Sequence, residues 1–423
     1  MSKTIVPRDT RIRLGSLGGD LLVQQGGIVE VEGERLTITG QVVCLGDALF
    51  KGSLSANRLD GKQGKLTVEG SLSITDGLVI SDGGLEVSGS VDARKVSADQ
   101  SLLVGKDFCS ETVDVGGRFS VGGRTQAGKV SVGGVYECKG NVEVEQVVVG
   151  GSVSIEGEAK IQEMDIGGSA KLAGGDLTGL VEVAGMLQST GPLYFGGIDI
   201  GGSILLTGRN KGRDIEVGGR VRVEGDLEFD MLKVGGRAEI TGSCSGVSAR
   251  VGGRLEVAED LSLSDRLEVG ARISVGEQLQ TKSLDLGGSL EAGLALVEDG
   301  VRIGGMINTR EGLKATRIET GTNWEVRGPL VGIEVILSQN GEAEDIYAQE
   351  LQMMDGAKAR NVRAARIQLG DNCSISGVIE YTESIVVGKG LVAGSGMPRR
   401  VKDLPAFPSF NRSVVDRQHR KEA

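Results

Sequence analysis

A repeat of seventeen residues runs through most of this chain of 423 residues and constrains its fold more than any other feature. Each repeat unit holds a short alternating apolar segment followed by a pair of glycines, as in VDVGG, VSVGG and VVVGG. Nineteen units can be counted, and eleven of the twelve intervals between the clearest anchors are seventeen residues, with one of eighteen. The anchor is the first residue of each glycine pair, for example Gly116, Gly133 and Gly150.

Apolar and charged residues alternate within each unit, which is the period of a β-strand. Seventeen residues are too few for a strand and a helix, and the β-branched columns argue against paired helices. The repeat therefore predicts an all-β fold, a single-stranded parallel β-helix with coils of about 17 residues stacked about 4.8 Å apart. We attribute the 70 glycines to corners that require a positive φ angle.

The clarity of the repeat varies along the chain and suggests three segments. Residues 1–19 precede the repeat, and the β-helix is expected over residues 20–394, with irregular coils at 20–78 and regular coils at 79–394. Residues 395–423 carry three of the six prolines and no period, which predicts a disordered C-terminal tail.

The composition restricts the cellular compartment and the binding partners that we expect for this chain. The net charge of −11 argues against broad binding to nucleic acid. The five cysteines form no CxxC motif, and Cys138 and Cys373 fall on apolar columns, so we expect buried thiols. Because the sequence has no apolar run of about 18 residues and no secretory leader, we expect a cytoplasmic protein.

The repeat offers little for catalysis. The single histidine, His419, lies in the tail, which excludes Ser-His-Asp and Cys-His pairs and His-rich metal sites within the coils. The segment GRTQAGKV resembles a phosphate-binding loop but ends in Val130, where such a loop needs Ser or Thr. We therefore predict no catalytic, cofactor or metal site, no cofactor and no enzymatic activity.

An arginine ladder is the one candidate interaction site. Four arginines stand two residues after successive anchors and should repel one another unless a ligand or nearby carboxylates compensate them. Candidate carboxylates are Glu216, Glu239, Glu256 and Glu268, and an acidic ladder of Asp165, Glu182, Asp199 and Glu216 precedes the arginines. A charge-paired solvated face and a docking strip for a polyanion or partner both remain open. The ladder consists of Arg220, Arg237, Arg254 and Arg272.

The VxVGGxVxVxGxL units, together with the proline-containing tail and the lack of a catalytic constellation, resemble the bactofilins, which are polymer-forming cytoskeletal proteins. The resemblance covers residues 79 to about 394 well. It implies a right-handed parallel β-helix that assembles end to end into homopolymers without nucleotide. This chain is several times longer than the usual bactofilin core, and MSKTIVPRD lacks the apolar membrane-targeting peptide of many members. The sequence does not decide membrane association.

Two other functions stay open. The coils could form a scaffold subunit of an enzyme complex, similar to the Gly-rich coil domain of glutamate synthase or to the C subunit of formylmethanofuran dehydrogenase. Such a subunit would bind other proteins stably. A carbohydrate-active β-helix is the third reading, and it requires a groove with clustered carboxylates.

Overall fold

The computed structural model describes residues 2–405, and the regular elements in that range are parallel β-strands without a helix. The strands fall into two compact units, Met1–Glu224 and Gly225–Ala423, called here the N-terminal and C-terminal units. Each unit is a β-solenoid, in which short strands follow one another around a coil and pair with the equivalent strands of the next coil. The predicted all-β parallel β-helix is confirmed.

The N-terminal unit contains the following strands: β1 (Ser2–Val6), β2 (Arg11–Leu14), β3 (Gly19–Val23), β4 (Gly27–Leu45), β5 (Ala48–Lys62), β6 (Lys65–Val68), β7 (Leu72–Ser81), β8 (Gly84–Val87), β9 (Val91–Ala93), β10 (Lys95–Ala98), β11 (Ser101–Val104), β12 (Phe108–Val115), β13 (Arg118–Val121), β14 (Thr125–Val132), β15 (Val135–Cys138), β16 (Val142–Val149), β17 (Ser152–Ile155), β18 (Ala159–Ile166), β19 (Ser169–Leu172), β20 (Gly175–Val183), β21 (Met186–Ser189), β22 (Leu193–Ile200), β23 (Ser203–Thr207), β24 (Asn210–Val217) and β25 (Arg220–Glu224).

The C-terminal unit contains the following strands: β26 (Leu227–Val234), β27 (Arg237–Ile240), β28 (Cys244–Val251), β29 (Arg254–Val257), β30 (Leu261–Leu263), β31 (Arg266–Val269), β32 (Arg272–Thr281), β33 (Ser283–Leu286), β34 (Ser289–Val297), β35 (Gly300–Ile303), β36 (Met306–Thr320), β37 (Glu325–Arg327), β38 (Leu330–Leu337), β39 (Glu342–Met353), β40 (Lys358–Leu369), β41 (Ser374–Ile375), β42 (Ile379–Val387), β43 (Val392–Ala393) and β44 (Arg399–Arg400).

The sequence repeat is also the register of the strand ladders. Val113 pairs with Val130, Val130 with Val147, and Val147 with Met164, so each residue lies beside the residue seventeen positions later. Because parallel neighbours carry the same column of the repeat, valine stacks on valine through the interior. These four side chains are at most 2% exposed. The columns that the alternation assigned to the core are therefore buried.

The single interval of eighteen residues is absorbed inside one coil of the C-terminal unit. Cys244 pairs with Leu261 at the usual offset of seventeen, whereas Ala249 pairs with Leu267 at eighteen. The extra residue lies between Leu263 and Leu267, where β30 ends and β31 begins. The inward columns keep their phase on both sides of the insertion, because the added residue falls in the connection and not in a strand.

The anchor glycines do not have the conformation that the sequence suggested. None of the clear anchors belongs to the glycines of positive φ, which lie elsewhere in the described chain. A Cβ added at Gly133 would lie 2.3 Å from the carbonyl oxygen of Gly116, and one at Gly150 would lie 2.5 Å from that of Gly133. The expectation of positive φ was wrong at these positions. Glycine is required because the backbone of the preceding coil passes too close for a side chain.

Polar side chains at one corner join successive coils in a way that the sequence did not indicate. The Oδ1 atom of Asp107 accepts a hydrogen bond of 2.8 Å from the backbone N–H of Arg124, one coil later. Asn141 does the same for Glu158 at 3.0 Å, and Asp226 does so for Ser243 in the C-terminal unit at 3.0 Å. These bonds satisfy backbone donors at turns where the strand ladder is interrupted.

Strand pairing extends beyond the boundaries expected at residues 20 and 394. At the N-terminal end, β1 pairs with β3 and β2 pairs with β4, because TIV and RIRL already alternate although they carry no glycine pair. At the other end, β44 pairs with β42. Residues 406–423, which hold most of the expected tail and His419, lie outside the described residues.

Candidate functional site

The arginine ladder is formed in register within the C-terminal unit. Arg237 pairs with Arg254, and Arg254 pairs with Arg272, on strands β27, β29 and β32. The fourth member, Arg220, belongs to the N-terminal unit, where it lies opposite Ser203 at the start of β25. The repeat, with spacings of seventeen and eighteen residues, thus places the three later arginines along one face of the coils.

Carboxylates of the same face neutralise the start of this ladder. Arg237 Nε lies 2.6 Å from Glu239 Oε1, although it is not aligned for a hydrogen bond, and Arg237 Nη2 donates to Glu256 Oε2 at 2.6 Å. Arg254 Nη1 lies 3.4 Å from Glu256. The hydrogen bond from Arg237 lowers the pKa of Glu256 and raises the pKa of Arg237. Glu256 therefore forms ion pairs with two arginines of the ladder, Arg237 and Arg254, as expected for a charge-paired face.

Arg272 and Glu268 do not form the ion pairs that the sequence suggested for the arginine ladder. Arg272 Nε donates to the hydroxyl of Ser289 at 3.2 Å. Glu268 does not pair with the ladder but contacts Arg250 at 2.6 Å and Arg266 at 2.7 Å, and the hydrogen bond from Arg250 lowers its pKa. Glu268 lies on β31, away from the glycine-flanking position of the ladder, so the shared spacing alone could not assign its partner.

The acidic ladder is also formed in register, on the N-terminal unit. Asp165 pairs with Glu182, Glu182 with Asp199, and Asp199 with Glu216, on strands β18, β20, β22 and β24. All four residues are exposed. This column gives the side of the coils a dense negative charge, which is screened in water and tolerated because the side chains extend into solvent.

A shallow groove of about 1110 Å³ runs across several coils of the N-terminal unit. One wall is an outward-facing row in direct register, in which Asp92 pairs with Cys109, Cys109 with Gln126, and Gln126 with Glu143. The floor is made by small and aliphatic residues of the buried column between the two walls, and it includes Ala93, Ser110, Ala127 and Val144.

The walls of this groove are polar and carry more carboxylates than cations. Arg94 Nε pairs with Glu111 at 3.0 Å, which leaves Lys160 as the other cation of the lining. The described lining contains no aromatic side chain. Sequence reasoning did not predict the groove, although the succession of small residues in one core column was a readable sign. The carboxylates of the lining are Asp92, Glu111, Glu143, Glu145 and Asp176.

The segment GRTQAGKV, which resembles a phosphate-binding loop, lies among the strands of the N-terminal unit. The segment at 123–130 runs into β14, where Val130 is fully buried, and β15 follows it.

Four of the five cysteines are buried, and the fifth, Cys109, is exposed in the groove wall. The buried cysteines are Cys44, Cys138, Cys244 and Cys373. Burial raises the pKa of Cys44 to about 12 and also raises that of Cys244. The expectation of buried thiols at positions 138 and 373 is confirmed.

Residues 2–405 contain no cluster of three or more His, Cys, Asp or Glu side chains arranged to hold a metal ion. Over the same range, no helix has the length and apolar character needed to cross a membrane. A comparison with protein-family models, with curated proteins and with solved structures found no match to this chain.

Proposed function

We propose that this chain is a non-enzymatic structural protein whose copies join end to end into a polymer without nucleotide, as the resemblance to bactofilins implies. The proposal rests on the incomplete strand pairing and incomplete burial of the first and last coils. Both present strand edges that no other described part of the chain pairs with, and some of their inward-facing side chains remain partly exposed. An uncovered edge of this kind is a template for pairing with another chain.

The first coil is open on one side. Among the described residues, β1 pairs with β3 alone and β2 with β4 alone. Ile12 faces the interior in register with Val29, and Leu17 does so in register with Ile38. Both are only half-buried, whereas Val29 and Ile38 in the second coil are at most 2% exposed. Val6, at the end of β1, is already buried, so the first coil is open only in part. A further coil stacked here would complete the burial of the core.

The last coil is open in the same way. Val387 continues the column of Leu369, yet Val387 is 41% exposed and Leu369 is 2% exposed. Within residues 2–405, β43 pairs with β41 alone, and no strand follows the second half of β42. Because the coils of one copy stack through parallel pairing, the first coil of a second copy has the right geometry to continue the ladder.

Substitution of Val387 by lysine tests the proposal at this end. We expect Val387→Lys to abolish assembly without unfolding the protein, because a charge in the joint would be buried without a partner. Val386→Lys is the matched control, since Val386 lies on the same strand, faces outward and is already 62% exposed. Sedimentation and circular dichroism measure the two outcomes. Assembly that survives Val387→Lys would contradict the use of this coil end.

The groove on the N-terminal unit supports carbohydrate processing as a second candidate, because five carboxylates belong to its lining. A pair of carboxylates can act as acid and base on a glycosidic bond. Release of reducing ends from a polysaccharide, lost in Glu143→Gln and Glu145→Gln, would favour this candidate over the structural one. A scaffold role in an enzyme complex would instead require a stable catalytic partner and no self-assembly.

A further inference from the structure

The two terminal coils are basic although the whole chain carries a net charge of −11. The first coil, residues 2–17, has four basic side chains and one acidic side chain, Asp9. The last coil, taken with the residues that follow it (384–405), has the same balance, with Asp403 as its single carboxylate. Acidic residues therefore predominate between the ends. The basic residues are Lys3, Arg8, Arg11 and Arg13 in the first coil and Lys389, Arg399, Arg400 and Lys402 in the last.

Carboxylates of the neighbouring coils neutralise only part of this charge. Arg11 pairs with Glu30 at 2.5 Å, and Arg399 pairs with Glu380, which Arg363 also contacts at 3.1 Å. Within the described chain, no ion pair joins the other six cations of the two coils to a carboxylate, and all six side chains are exposed. The outermost layer at each end thus remains positive.

Any joint between two such ends brings like charges together. Stacked coils are about 4.8 Å apart, so the cations of one copy would face those of the next at close range. Both ends carry the same sign, and head-to-tail, head-to-head and tail-to-tail contacts all meet this repulsion. The apolar edges described above and the charge around them therefore act in opposite directions.

We infer that multivalent phosphate anions control the joint by bridging the basic coils of two copies. This inference rests on the proposed end-to-end assembly. Guanidinium groups bind phosphate oxygens through paired hydrogen bonds and ammonium groups bind them as point charges. Three cations that no ion pair engages among the described residues supply such groups at one end: Lys389, Arg400 and Lys402. Arg400 Nε donates to the carbonyl oxygen of Thr382, one coil earlier, at 3.0 Å. No bond is made or broken, and the recognition needs phosphate charge and not a nucleotide base.

Inorganic triphosphate is the probe that tests this control. The critical concentration for assembly of the full chain is measured by sedimentation at low ionic strength, with triphosphate or with sodium chloride at matched ionic strength. We expect triphosphate to lower the critical concentration about tenfold more than sodium chloride does. Sodium chloride only screens the repulsion, by shortening the screening length from about 30 Å at 0.01 M to about 10 Å at 0.1 M, whereas triphosphate would also bridge the cations.

A charge-reversal pair separates the ends from the rest of the molecule. Lys389→Glu with Lys402→Glu should assemble at low ionic strength without triphosphate. The matched control is Lys106→Glu with Lys129→Glu, which makes the same change of charge at exposed positions in inner coils of the N-terminal unit. The control should still require triphosphate, and circular dichroism verifies that both proteins are folded.

Two results would overturn the inference and leave the polymer intact. One is a critical concentration that does not depend on triphosphate, and the other is an equal response of the terminal and inner variants. A chain that fails to assemble under every ionic condition, with triphosphate present, would instead overturn the proposed function itself.

Discussion

At the scale of single residues, a missing Cβ decides how closely two coils can stack at each anchor. At Gly150 that atom would lie 2.5 Å from a backbone carbonyl oxygen, which is shorter than any ordinary contact. A backbone oxygen cannot move aside as a flexible side chain can. The anchors therefore fix the coil spacing through close approach, while the corner Asp and Asn side chains hold the turns.

We expect Gly150→Ala to destabilise the N-terminal unit by about 2 kcal/mol, because the coils must separate locally. Gly77→Ala is the matched control, since a Cβ at Gly77 has no atom within 4 Å and its φ is not positive. It should be neutral or slightly stabilising. Urea unfolding followed by circular dichroism gives both values. Equal effects of the two substitutions would show that coil contact is not the reason for glycine at the anchors.

The five cysteines should differ sharply in reactivity. Cys109 alone is exposed, so a maleimide should modify one thiol per folded chain and five in denaturant. Cys109→Ser should then leave the folded protein unmodified. Fast modification of a second thiol in native conditions would contradict the burial of Cys44, Cys138, Cys244 or Cys373.

The buried thiols also predict a loss of stability in alkali. The pKa of Cys44 is raised from 9.0 to about 12 by burial, so the unfolded chain ionises first as the pH rises. Stability should be unaffected by this group below pH 9 and should fall between pH 9 and about 12, by about 1.4 kcal/mol per pH unit for each such thiol. Urea midpoints across this range check the slope, which Cys44→Ala should reduce. A slope unchanged in Cys44→Ala would exclude this cause.

At the scale of the strand, the alternation of the sequence decides which side chains are buried. Val221 is fully buried on β25, whereas the next residue, Arg222, is exposed and contacts Glu224 at 3.1 Å. Val221→Asp should cost several kcal/mol, because the carboxylate would be buried without a partner. Arg222→Gln should cost less than about 1 kcal/mol, as expected for an exposed ion pair. Similar unfolding midpoints for the two variants would mean that the phase of the strand is reversed.

The repeat was sufficient to predict most of the strands. In a parallel solenoid the sequence period sets the strand register, and the register decides which columns are buried. Val113, Val130 and Val147 could be assigned to one buried ladder from their spacing alone. The sequence could not assign Glu268 to Arg250 and Arg266, since the reach of a flexible side chain depends on the bend between two strands. The groove was missed although its floor follows a column of small residues that includes Ala93, Ser110 and Ala127.

At the scale of the whole molecule, charge is divided between the faces and the ends. The sides carry acidic columns and ion pairs, which favour solubility and discourage lateral association. The terminal coils carry partly exposed apolar residues and an excess of cations. If copies join as we propose, this division would direct their contact to the terminal coils and would make it sensitive to anions.

Negative-stain electron microscopy of the purified full chain, over a range of protein concentrations and with inorganic triphosphate present, tests the central claim most directly. The account predicts unbranched filaments one coil stack wide above a critical concentration, and none in Val387→Lys. Single particles of constant size at every concentration, with the triphosphate present, would contradict it.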